Sequence, residues 1–151
     1  MPAESEPLDH RALAVVLFNR TWELLDQESR SYAENAEMLT AAFTSRYHWL
    51  QVGEPRNFSI SDWQVSRVAA VLGFADLAAE YGRRSLDVAV SAGLGPFYTA
   101  YAHEALARAA GLAGNRELKN EHLDAAFELL AEVREASERD LLAPDLDELR
   151  G

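Results

Sequence analysis

Gly53, Gly73, Gly93, Gly95 and Gly114 punctuate the 151-residue chain about every twenty residues. Glycine just past an apolar-periodic segment takes up the left-handed conformation that closes a helix. Intervals of this length accommodate helix, turn, helix. No stretch alternates apolar and polar residues over the length of a strand, so an all-α fold is predicted.

The starts of the helices are marked as well. Asp9 is placed to cap a helix over 10–28, Ser31 with Glu34 forms a capping-box pattern for 32–52, and Ser59 with Asp62 resembles one for 60–72. Further helices are predicted at 75–92, 97–113 and 116–136, four of the six ending at glycine. Residues 138–149 carry Leu141, Leu142, Leu146 and Leu149, a shorter helix that Pro144 should interrupt or restart. The segment 75–92 shows the clearest periodicity, with Ala78, Tyr81, Gly82, Ser85, Leu86 and Ala89 on one stripe and Glu80, Arg83, Arg84 and Asp87 opposite. Glycine within a helix costs about 1 kcal/mol relative to alanine, so Gly82 on the buried stripe implies close approach of a neighbouring helix.

Composition bounds the function. The longest apolar run, Ala12 to Phe18, is far short of the roughly 20 residues that cross a bilayer. The first ten residues lack Lys and Arg, so no secretory leader is expected and a cytoplasmic location follows as the expectation. With no cysteine, thiolate nucleophiles, disulfides and iron–sulfur clusters are excluded. A net charge of −11 opposes nucleic acid as a partner. The charge is uneven: residues 1–40 and 109–151 are acidic, whereas 41–108 balance six acids against six arginines.

Sliding the chain against itself by 41 residues places Arg67 on Arg108, Ala69 on Ala110, Gly73 on Gly114, Leu77 on Leu118 and Glu80 on Glu121. Similar residues follow in register, Tyr81 on His122 and Leu86 on Phe127 among them. Repeated helical hairpins behave this way because each buries its face on the next. The pattern Gly73-x4-Ala78-x2-Tyr81-x3-Ser85-Leu86, preceded by small Ser66 and Ala69, resembles the signature of tetratricopeptide repeats in a degenerate, longer form. Lys119 departs from that pattern, and the 41-residue period exceeds the usual 34 by a segment placed at Ala92 to Phe97.

The resemblance implies one right-handed superhelix of three antiparallel hairpins. Its parts are a disordered start (1–8), a divergent first hairpin (9–53), repeats at 59–92 and 97–136, and a cap at 138–149. It also implies that the first helix of each pair lines a groove, presenting Ile60, Trp63, Arg67 and Ala70 beside Tyr101, Glu104, Arg108 and Leu112. From the residues themselves, Val65, Val68, Ala69 and Leu72 would enter the core, leaving Trp63 and Arg67 on the adjoining face. Arg beside Trp and Tyr suits a peptide or carboxylate. The competing reading pairs Arg67 or Arg108 with Glu104 between helices and puts the aromatics in the core. His48 and Trp49, within Ser45-Arg46-Tyr47-His48-Trp49, either complete the groove or pack helices.

None of His10, His48, His103 and His122 has a glutamate three residues before it, and His-Glu-x-x-His is absent, so no metal or cofactor is expected. Nucleophile-elbow and phosphate-loop patterns are absent, so catalysis is not expected. The leading reading is a non-enzymatic module that binds a protein or peptide partner; the carboxylates at 117–148 read as solvated surface, or else as the contact for a basic partner. The alternative is a pocket for an anionic ligand lined by Trp49, Trp63, His48 and Arg67. Leu13, Val16, Phe18 and Trp22 give the first helix more apolar surface than one neighbour covers, which a homodimer would bury; folding back of the first two helices would leave a monomer instead.

Overall fold

The computed structural model describes residues 6–151; most of the expected disordered start falls on residues 1–5, outside the described residues. Among the described residues there are seven α-helices and no strand. They are α1 (His10–Leu25), α2 (Tyr32–Val52), α3 (Pro55–Val71), α4 (Ala75–Ser91), α5 (Pro96–Leu112), α6 (Arg116–Leu130) and α7 (Ala136–Arg150). Each pairs closely with the next in sequence up to α6; α3 also meets α5, and α7 lies against α5 and α6.

Two of the three expected caps form. Asp9 Oδ1 accepts the Ala12 N–H at 3.0 Å, and Ser31 and Glu34 cap reciprocally at 3.1 and 2.9 Å. The third does not. Helix α3 begins at Pro55, where the missing N–H and fixed φ suit a first helical position, and Asn57 Oδ1 accepts the Glu54 N–H at 2.9 Å. Ser59 and Asp62 consequently lie inside the helix and are buried.

Gly73 has φ +85° and closes α3 with Phe74 N–H donating to Ala69 O at 2.8 Å. The turns at Gly93 and Gly114 repeat this bonding. Gly53 differs, with extended backbone; its need is space, because a Cβ there would stand 2.7 Å from Trp49 O.

The 41-residue period proves to be a helical length. Pro55 and Pro96 open 17-residue helices in register, and α4 also has 17 residues, so the excess over the shorter repeat lies in the helices and not at Ala92 to Phe97. Helix α6 stops at Leu130, short of 136, and Val133 in the following turn is buried against α7. Helix α7 runs through Pro144 without interruption. Proline removes one backbone donor and crowds the carbonyls of the preceding turn. The carbonyl that loses its helical donor is that of Asp140; Leu141 O, one residue on, lies 3.0 Å from Tyr101 Oη.

The core has bulky ends and a small-residue middle. Leu24, Met38, Val65 and Val68 join α1, α2 and α3, while Leu123, Leu142 and Leu146 join α5, α6 and α7. Between them α3, α4 and α5 meet through Ala69, Ala78 and Ala109. The serines add polar seams: Ser59 Oγ donates to Ser85 O at 3.0 Å, Ser85 Oγ to Ser59 O at 2.8 Å, and Ser66 Oγ to Ala78 O at 2.7 Å.

Gly82 lies on the buried stripe of α4, where a Cβ would stand 3.2 Å from Leu106 Cδ2 and 3.4 Å from the Leu106 backbone nitrogen. The close approach expected from the sequence is therefore with α5. Substituting Gly82→Leu should lower stability by about 1–3 kcal/mol through overpacking. Urea denaturation measures this, and an unchanged midpoint would refute close packing at that position.

Candidate functional site

Glu104, on α5, is fully buried. A buried carboxylate is tolerated only where donors and cations compensate its lost hydration. Trp63 Nε1 donates to Glu104 Oε2 at 2.8 Å, and Arg108 Nε and Nη2 donate to Oε1 at 3.0 and 2.7 Å. Arg67 Nη1 stands 3.5 Å from the same oxygen. Trp63 and Glu104 occupy equivalent repeat positions, so the hydrogen bond joins one repeat to the next.

Four of the sequence-predicted site residues, Trp63, Arg67, Glu104 and Arg108, thus meet, with Tyr101 beside Trp63 at 5.2 Å between ring centroids. Both arginines are committed to the internal carboxylate. The other two predicted residues sit elsewhere on α2. Trp49 lines a small cavity of about 140 Å³ with Phe18, Asn57 and Ile60, and the Arg11 guanidinium lies 5.3 Å from its ring. His48 is buried against His10, Nδ1 to Nδ1 at 2.8 Å.

Next to the Glu104 cluster is a cleft of about 240 Å³. Its walls come from α1 (Trp22), α3 (Ser59, Ile60, Trp63), α4 (Ser85), α5 (Phe97, Tyr98, Tyr101) and α7 (Leu141, Asp145). Pro96 starts α5 so that Phe97, Tyr98 and Tyr101 occupy its first two turns. Tyr101 Oη reaches Asp145 Oδ2 at 2.8 Å, and burial first, then the Asp145 carboxylate, hold its phenol pKa well above the ordinary value. The tyrosine is therefore a donor rather than a base.

Sequence reasoning placed Ile60, Trp63 and Tyr101 on this face but missed Trp22, Phe97, Tyr98, Leu141 and Asp145. The helix expected from 97 includes Phe97 and Tyr98, but nothing local shows that its first turn faces Trp22 and Trp63. A second depression, of about 310 Å³, lies along the same helices with Ala70, Arg108, Leu112, Lys119 and Leu149 among its walls.

The histidines form two pairs. His103 Nδ1 faces His122 Nδ1 at 3.0 Å, and burial, then His122 and Arg83, push the His103 pKa down to about 4. Burial also lowers that of His122. Each pair offers two nitrogen donors, and no group of three or more His, Asp or Glu able to hold a metal occurs among the described residues. No helix there is long and apolar enough to cross a membrane.

Compared with family models, curated proteins and solved structures, the chain matches none.

Removing the Glu104 charge leaves two arginines facing each other across a site built for an anion. Glu104→Gln should therefore cost about 2–4 kcal/mol, with Arg67→Lys costing less because Arg108 supplies the shorter bonds. Chemical denaturation of the two variants checks the order; equal or negligible losses would contradict it.

Proposed function

We propose that the protein is a non-enzymatic interaction module of tetratricopeptide-like architecture, binding a segment of a protein partner along the face formed by the first helices of its hairpins. The observation that carries this is the cleft: apart from Ser85 on α4, its walls are residues of α1, α3, α5 and α7, the first member of each pair and the capping helix, converging on one aromatic depression. That is where a right-handed superhelix of hairpins would carry its concave surface. The volume, about 240 Å³, is below the roughly 300–1,000 Å³ of small-molecule sites and suits one anchoring side chain. The second depression, flanked by Arg108 and Lys119, extends the same face for a longer ligand.

An anionic ligand is the weaker reading. Trp49, His48 and Arg67 do not line the aromatic cleft, and Asp145 is its one carboxylate. Selection from a displayed random-peptide library tests the groove. Enriched peptides should share an apolar or aromatic anchor and bind at least about fivefold more weakly to Tyr98→Ala, since truncating a central aromatic contact costs about 1 kcal/mol or more. Absence of enrichment, or binding indifferent to Tyr98, would overturn the proposal.

Self-association through α1 is a second reading, favoured by the exposure of Leu8, Leu13, Val15 and Val16. Trp22 is not a clean probe of it, because its ring packs 5.6 Å from that of Trp63 at the cleft. Light scattering should give a mass above 16.7 kDa that falls for Val16→Glu; a concentration-independent monomer would exclude the dimer.

A further inference from the structure

We propose that the aromatic cleft selects a quaternary ammonium group, presented by a methylated lysine side chain of the partner segment. This rests on the groove reading and adds the chemistry of the anchor. Five rings wall the cleft, those of Trp22, Trp63, Phe97, Tyr98 and Tyr101. Neighbouring centroids are 5.2–5.6 Å apart, and three of the four pairs meet edge to face at 71–85°. Rings inclined in this way enclose a volume from several sides, and ring faces attract a cation through their quadrupole.

The charges agree. Asp145 borders the cleft, Arg67 and Arg108 pair with Glu104 and do not line it, and the chain carries a net charge of −11. Beyond Phe97 and Tyr98, a neighbouring depression of about 260 Å³ is lined by Glu132, Glu135 and Glu138 against Arg134 alone. Basic residues flanking the anchor have a place there, which favours a peptide source over a free metabolite.

Hydrogen-bonding capacity distinguishes the type of cation. A primary ammonium brings three N–H donors that need acceptors once buried. The Ser59 and Ser85 hydroxyls donate to each other's carbonyls and Tyr101 Oη donates to Asp145, and the surface the cleft exposes is almost wholly apolar. A primary ammonium would meet few acceptors on such a wall to replace the water it sheds. A quaternary ammonium has no N–H to satisfy, so it enters at the lower desolvation cost.

Titration of the full chain, followed by tryptophan fluorescence and by the NMR signals of the cleft, tests the proposal with four probes. These are choline, its neutral isostere with carbon in place of nitrogen, and an arginine-flanked peptide bearing either trimethyllysine or unmodified lysine. The trimethyllysine peptide should bind about three- to tenfold more tightly than the unmodified one, and choline should outbind its neutral isostere by a similar factor. Asp145→Asn, which keeps an acceptor for Tyr101, should weaken both cations and leave the neutral isostere unchanged. Equal binding of choline and the isostere would overturn the charge preference while the groove reading stands. Choline binding as tightly as the trimethyllysine peptide would overturn the partner source. No probe binding at tens of millimolar to protein with intact helical circular dichroism would overturn the ammonium site, and the peptide-display selection would then decide the groove by itself.

Discussion

A carboxylate with no exposure to water fixes the centre of this molecule. Buried in the middle of α5, the Glu104 carboxylate needs donors in place of water, and it has them: the Trp63 indole from α3 and the Arg108 guanidinium from its own helix, with Arg67 of α3 at longer range. The Trp63 bond ties α3 to α5, and both arginines are drawn to the same carboxylate. That pairing also explains why the aromatic cleft beside it is short of positive charge. The cations that would have made it a carboxylate receptor are satisfied within the fold.

Helix α3 extends the same logic to every neighbour. It is the most enclosed helix of the chain, yet much of what it buries is polar. Gln64 donates to Phe18 O on α1 at 3.1 Å, Asp62 pairs with Arg46 on α2 at 2.6 Å, Ser59 and Ser66 bond α4, and Trp63 bonds α5. Burial tends to raise the Asp62 pKa, and the Arg46 guanidinium opposes it. Each of these groups specifies one partner helix, because placing it against the wrong one would leave it unsatisfied; the buried Ser61 hydroxyl has no such partner. Apolar packing holds the stack together, and these bonds fix its order.

Helices and turns were largely legible in the sequence because their determinants are local. Capping oxygens, left-handed glycines and the stripe on α4 act within a few residues. The errors were local as well: Pro55 opens α3 a turn before Ser59, and Pro144 stands inside α7 without interrupting it. The candidate site was legible only in part. Periodicity placed Trp63, Arg67, Tyr101, Glu104 and Arg108 on related faces, but it carries no information about whether an arginine meets a ligand or an internal carboxylate.

The sequence by itself determined that the chain is helical, where most helices begin and end, and that α3–α4 is repeated in α5–α6, since each of these follows from contacts between residues close along the chain. Tertiary structure decided the rest. Trp22, Trp63, Tyr98 and Asp145 come from four different helices and share a cleft only once those helices have packed. The 41-residue separation of Trp63 from Glu104 becomes a 2.8 Å hydrogen bond for the same reason. Burial makes the Glu104 charge demand its partners, and burial is a property of the assembled helices that no local pattern encodes.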